Sequence, residues 1–177
     1  MSFQDESIFA MDSFDDGEEK PKKRKVIKIM SPINSESIRV EDFDHKKTVL
    51  IDFDRTIHRY SKGWVNGDIY DPPFDGAKEV IEWLKSIGFL VVIFTARLAS
   101  ISLRKSNISF EEEYNRLAEF LNKYQIPYDI ITAEKYPAAF YIDDRAVHID
   151  KGDWELVKKV IETRLKYQQS AMEALGR

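Results

Sequence analysis

Two aspartates stand two residues apart at the end of an apolar run, Asp52 and Asp54 in VLIDFDRTIH (Val49–His58). In extended chain their side chains leave on the same side. A pair placed like this can divide the work of phosphoryl transfer: one carboxylate attacks phosphorus and the other handles the leaving-group proton. Aspartate also favours turns, so two solvated turn residues are the plain alternative. Three more strand-ending groups weigh against it: Thr95 in IFTAR, Lys135 in TAEK, and Asp143 with Asp144 in YIDDR. Carboxylates gathered at a phosphate repel it unless a cation lies between them. Mg²⁺ suits, because it takes oxygen ligands, keeps several waters and uses one or two carboxylates plus the substrate phosphate. Asp143, Asp144 or both would complete its shell, although Asp144 could instead cap the turn or pair with Arg145. Lys135 would supply positive charge, and Thr95 a hydroxyl donor, to the phosphoryl oxygens where charge spreads in the transition state.

These groups need a scaffold that brings strand ends to one edge. Four short apolar runs read as strands: TVLIDF at 48–53, FLVVIF at 89–94, YDIITA at 128–133 and AFYID at 139–143. They are apolar nearly throughout, as expected where helices cover both faces of a sheet. Between the first two, Ala77, Val80, Ile81, Leu84 and Ile87 recur at helical spacing, and Gly88 is placed to stop the helix. Between the second and third, Phe110, Tyr114, Leu117, Leu121 and Tyr124 form another stripe, with Pro127 marking the return to the sheet. A last helix follows Asp153, its expected N-cap, with Trp154, Val157, Val160, Ile161 and Leu165 on one face. Alternating strands and helices predict an α/β fold, a doubly wound Rossmann-like parallel sheet flanked by helices. In such a sheet, sites form at the carboxyl ends of the strands.

The 177 residues are enough for one domain with a real core, and 43% are hydrophobic and 33% charged. A net charge of −4 gives no overall attraction to nucleic acid or anionic membrane. The chain has no cysteine, which excludes disulfides and thiolate metal sites. No apolar run approaches the roughly 20 residues of a membrane span. The acidic start lacks the basic-then-apolar order of a secretion signal, so a cytoplasmic protein with no membrane partner is expected. Residues 1–45 differ from the rest: acidic with scattered aromatics, then basic in PKKRKV at 21–26, then VIKIM at 26–30, a candidate edge strand. They read as a flexible tail ahead of a catalytic domain at 46–177. The basic run resembles a short nuclear-import signal, and a solvated tail is its plain reading.

Taken together, DFDRT, FTAR, EK and IDD resemble, in order, the four motifs of the haloacid dehalogenase (HAD) superfamily of phosphotransferases, over residues 48 to 150. The resemblance implies Mg²⁺ and an aspartyl-phosphate on Asp52, acid/base work by Asp54, and phosphate-holding by Thr95 and Lys135. It implies a metal held by Asp52, the backbone carbonyl of Asp54 and Asp143, with Asp144 as a second contributor. The family commonly has glycine after the second aspartate, where this chain has Arg55; glycine eases a tight turn beside the phosphate.

The segment His58–Asp75 contains Asn66-Gly67, a strong hairpin-turn signal, and is expected to form a small flap in place of a large cap domain. Arg55, His58, Arg59, Trp64 and Arg97 are candidates for substrate contact, each weighed against a local structural role. The leading expectation is a Mg²⁺-dependent phosphomonoesterase whose substrate is a small molecule or a macromolecular phosphate. A nucleotide or nucleic-acid end is favoured by the basic tail and the arginines. The alternative is a binding or scaffolding module of the same fold acting through its charged tail. The residues decide neither the oligomeric state nor whether phosphate passes to water or to another acceptor.

Overall fold

A computed structural model of the chain describes residues 43–149 and 151–174. The basic run at 21–26 and the candidate strand at 26–30 lie outside the described residues. Four parallel strands form one sheet in the order β3-β2-β1-β4: β1 (Thr48–Asp52), β2 (Leu90–Phe94), β3 (Ile130–Thr132) and β4 (Phe140–Ile142). Each sits inside its expected apolar run. Among the described residues four α-helices accompany them: α1 (Ala77–Ser86), α2 (Ser100–Ser106), α3 (Phe110–Lys123) and α4 (Trp154–Ala174). Among the described residues there is no large cap domain, and no helix is long and apolar enough to cross a membrane.

Strand alternation sorts the core. Val49, Ile51, Val91, Ile93 and Ile131 face Ile81 and Leu84 of α1 and Leu117 and Leu121 of α3 in the main cluster. Leu50, Val92 and Ile130 point the other way and meet Tyr136 and Ala138 of the β3–β4 crossover. Each fully buried aliphatic side chain contributes about 1.5–3 kcal/mol relative to leaving it in water. The expected stripes are wider than the buried faces: Val80 and Ile87 of α1 and Phe110 of α3 are about half exposed. Gly88, at φ +88°, ends α1 as expected; Phe89 N–H donates to Leu84 O and Gly88 N–H to Lys85 O, both at 3.0 Å.

Three expectations need correction. β4, read as covered on both faces, is half exposed at Phe140, Tyr141 and Ile142, because its side chains join neither hydrophobic cluster, whereas the other edge strand, β3, buries Ile130 and Ile131 in them. Asp153 does cap α4, accepting from Leu156 N–H at 2.9 Å, but Trp154, Ile161 and Leu165 are exposed, and only Val157 of the stripe is buried. The flap has its turn without its hairpin. Asn66 and Gly67 both have positive φ and Asp68 N–H donates to Val65 O at 2.8 Å, yet the flanking chain forms no strand. Side chains hold this loop instead: Tyr70 donates to Gly63 O at 2.7 Å, Asp71 accepts from Ser61 N–H at 2.6 Å, and the Tyr60 and Tyr70 rings stack.

Candidate active site

From β1 the chain proceeds to β2 and β3 on one side, then returns to place β4 on the other, so the strand order reverses beside β1. That is where open α/β sheets bind ligands. The register puts the expected groups level there. Ile51 pairs with Ile142 and Asp52 with Phe94, so Asp52 ends its strand beside Asp143 on one side and Thr95 on the other. A cavity of about 260 Å³ opens over these ends, and its walls include Asp52, Asp54, Thr95, Asp143 and Asp144.

Asp52, Asp143 and Asp144 each offer a carboxylate oxygen, and these oxygens lie within 4.8 Å of one another. Burial pushes the Asp52 carboxyl up to about 7 against the pull of the Phe53 N–H, and the charges of Asp143, Asp144 and Asp54 push the same way. Three carboxylate oxygens this close fit a hard divalent cation such as Mg²⁺, whose charge would offset their mutual repulsion. Local capping falls to Asp143, whose Oδ1 accepts from Arg145 N–H at 2.6 Å and Ala146 N–H at 3.1 Å. Asp144 lies 3.9 Å from the Arg55 guanidinium. Thr95 is buried and begins a short 3₁₀ turn, Ala96–Leu98; its hydroxyl oxygen accepts from Arg97 N–H at 3.2 Å, leaving its proton to donate.

The Asp54 side chain is outside the acidic trio. Oδ1 and Oδ2 receive Arg97 Nη2 at 3.0 Å and Nε at 2.8 Å, and Oδ1 also meets His58 Nδ1 at 2.9 Å. His58 Nε2 accepts from Asp71 N–H at 3.2 Å, so the proton of a neutral ring sits on Nδ1 and is donated to Asp54. Burial alone would raise the Asp54 carboxyl, but the hydrogen bonds from His58 and Arg97 outweigh it and hold it below the usual range. Only its backbone carbonyl is left for a metal.

His58 and Arg97, considered above as substrate contacts, therefore spend their polar atoms on the protein. His58 is fully buried, and Arg97 Nη1 donates to Gly67 O and to Glu113 Oε1, each at 2.9 Å. Trp64 does reach the cavity wall, under the Arg97 guanidinium at 5.0 Å, while Arg59 turns away to Asp75 at 2.7 Å. Lys135 stands apart from the cavity lining, its ammonium 4.6 Å from the centre of the Tyr141 ring.

Glu113 was not anticipated. It lies in the first turn of α3, where an acidic residue favours the helix dipole, but one turn before Leu117 on the inward stripe. A charge at a stripe position needs a buried partner, and that was the signal available in the sequence. Tyr60 and Arg145, also on the cavity wall, carried no such signal.

No family model matches this chain, and no curated protein matches it. Among solved structures, the crystal structure of a structural-genomics target from Vibrio cholerae is similar to it, with 26% identity, 67% of this chain and 98% of that one covered, and a TM-score of 0.41.

Proposed function

We propose that this chain is a Mg²⁺-dependent phosphomonoester hydrolase of the HAD kind, working through an aspartyl-phosphate on Asp52. The observation that carries the reading is the trio of carboxylates from the ends of β1 and β4, converging within 4.8 Å at the switch point of the sheet. Mg²⁺ held by Asp52, Asp143, Asp144 and the Asp54 carbonyl would screen the carboxylates and polarise the phosphoryl oxygens.

An Asp52 oxygen attacks phosphorus, the P–O bond to the leaving group breaks, and the phosphoryl group rests on Asp52. Thr95 donates its hydroxyl proton to a phosphoryl oxygen, and Lys135 swings from Tyr141 to another. Water then attacks phosphorus, the acyl-phosphate P–O bond breaks, and Asp52 is regenerated with release of inorganic phosphate. Asp54, kept ionised by Arg97 and His58, is the unprotonated carboxylate that would take the proton of this water, although the same pairing weakens it as a base. The same pairing makes it a poor proton donor in the first, which favours leaving groups that are weak bases. A nucleotide or nucleic-acid end is the proposed substrate class.

Phosphate release from p-nitrophenyl phosphate and a nucleotide panel, with Mg²⁺ or EDTA, tests the reading. Metal-dependent release that disappears in Asp52→Asn is expected. No release from any compound, with Mg²⁺ still raising the melting temperature, would overturn it in favour of a binding module.

A further inference from the structure

Arg55 and Tyr60 share an unusual backbone. Both have left-handed φ, +66° and +53°, which disfavours residues that carry a Cβ. Asn66 and Asn107 adopt the same region, but asparagine tolerates it; Gln125 and Lys151 lie elsewhere, away from the cavity. So the large left-handed side chains at the cavity are these two, in one loop, and they touch: the Arg55 guanidinium lies 5.7 Å from the centre of the Tyr60 ring.

Strain persists where something else over-determines it. The fold does not need the Arg55 side chain. It is 49% exposed, its ion pair with Asp144 is a loose 3.9 Å, and no hydrogen bond from its guanidinium exists among the described residues. The turn itself is held by the backbone, Arg55 N–H donating to His58 O at 2.7 Å, which glycine would do equally well. The cavity is where the side chain has consequences. Arg97, deeper in the wall, is spent on Asp54, Glu113 and Gly67. Two arginines on the cavity wall, Arg55 and Arg145, have guanidinium groups that make no hydrogen bond among the described residues, and Arg55 is the one placed 3.9 Å from Asp144 of the acidic trio.

A guanidinium is built for two-pronged contact with phosphate. The transferred phosphoryl group must sit against Asp52, deeper than Arg55 stands. We infer that Arg55 is a specificity residue that receives a second phosphate of the substrate, adjacent to the one transferred. The substrate would then be a phosphomonoester with another phosphate a sugar's length away, as in a nucleoside bisphosphate or the phosphorylated end of a nucleic-acid strand. This rests on the proposed phosphatase reading for its transferred group, but the binding it describes needs no turnover.

The test compares Arg55 with Arg55→Gly and Arg55→Lys in full-length chains that also carry Asp52→Asn, so that ligands survive. Binding with Mg²⁺ is titrated calorimetrically for adenosine 5′-monophosphate, adenosine 3′,5′-bisphosphate and a 5′-phosphorylated dinucleotide. Glycine suits a left-handed position, so Arg55→Gly should fold, which its melting temperature checks. The expected result is that Arg55→Gly weakens the two ligands with a second phosphate about tenfold more than the monophosphate. Arg55→Lys should fall between. The dinucleotide arm separates a strand end from a free bisphosphate by which is held more tightly. Equal losses on all three ligands would overturn the inference and put Arg55 on the transferred phosphate. No loss on any would overturn it as well. If the chain with Asp52 intact releases nothing from p-nitrophenyl phosphate while the Arg55 discrimination persists, the phosphatase reading fails and this one stands.

Discussion

Arg97 grips Asp54 with two near-parallel hydrogen bonds, Nε to Oδ2 at 2.8 Å and Nη2 to Oδ1 at 3.0 Å, and its remaining nitrogen reaches Glu113 at 2.9 Å. The Arg97 and Glu113 side chains are 2% and 1% exposed and that of Asp54 is 21% exposed, so one guanidinium neutralises a buried carboxylate and a second one that faces the cavity. Removing one partner of such a set leaves the other charges uncompensated, which is worse than never having built it. Arg97→Met should therefore lower unfolding free energy by about 3–5 kcal/mol, read from urea denaturation at neutral pH. Arg97→Met with Glu113→Leu should recover part of that loss, since the double variant buries one charge fewer.

The pH dependence of stability should carry the mark of Asp52. Its carboxyl is raised from 3.8 to about 7, mainly by burial, so between those values the folded chain holds a proton that the unfolded chain has released. The stability this supplies is full below 3.8 and is lost as pH rises toward 7. In EDTA, the melting temperature of the native chain should fall relative to Asp52→Asn across that window. Mg²⁺ should close the gap, because a cation at the trio favours the ionised carboxylate. Asp54 works in the opposite sense. Its lowered carboxyl stabilises the fold above the usual carboxylate range and loses that contribution only in stronger acid.

The strands and the groups at their ends were legible because both are local. A run such as LVVIF announces a buried strand, and the residue after it is a site candidate by topology alone. Local pattern says nothing about what will cover a strand, so FYI read like the buried strands although β4 is exposed and IIT, at the opposite edge, is not. The pairing of Arg97 with Asp54 spans 43 residues, and that of Arg97 with Gly67 spans 30. No periodicity encodes such contacts. An arginine beside a cluster of acids reads as a substrate contact, and nothing local tells that the same guanidinium on the cavity wall also holds the flap at Gly67 and α3 at Glu113. The short helix α2 was missed because its seven residues are fewer than the helical stripe needs to repeat, although Asn107 at φ +53° closes it as an αL cap.

Gly67 is where the flap meets this network most closely. At φ +81°, a Cβ there would lie 2.7 Å from Ile108 Cδ1 and 3.1 Å from Glu113 Oε2, with an Arg116 nitrogen nearer still. Arg116 can swing away, but Glu113 is fully buried and already bound to Arg97. Gly67→Ala should cost about 2 kcal/mol or more, from the left-handed backbone plus overpacking. Gly63→Ala, at φ +72° with nothing within 4 Å of its Cβ, should cost only about 1 kcal/mol. Chemical denaturation of the two variants side by side separates crowding from backbone strain. Equal losses would mean that the flap does not press on α3 in solution.

Lys135 gives the sharpest separation of a resting contact from a working one. Its ammonium sits over Tyr141 on an exposed face, a contact worth about 0.5–1 kcal/mol at such a site. Lys135→Ala should therefore move the melting temperature little. In the proposed reaction the same ammonium crosses to the phosphoryl oxygens, where loss of one charge-stabilising donor lowers turnover by about 10²–10³. Tyr141→Leu removes the resting contact and keeps the ammonium, so it should preserve turnover. Measured as Mg²⁺-dependent release from p-nitrophenyl phosphate, a large drop for Lys135→Ala beside a small one for Tyr141→Leu is the expected pattern. Comparable rates for both would leave Lys135 where it rests and pass its role to Arg145, whose backbone N–H already bonds Asp143 at 2.6 Å on the wall of the same cavity.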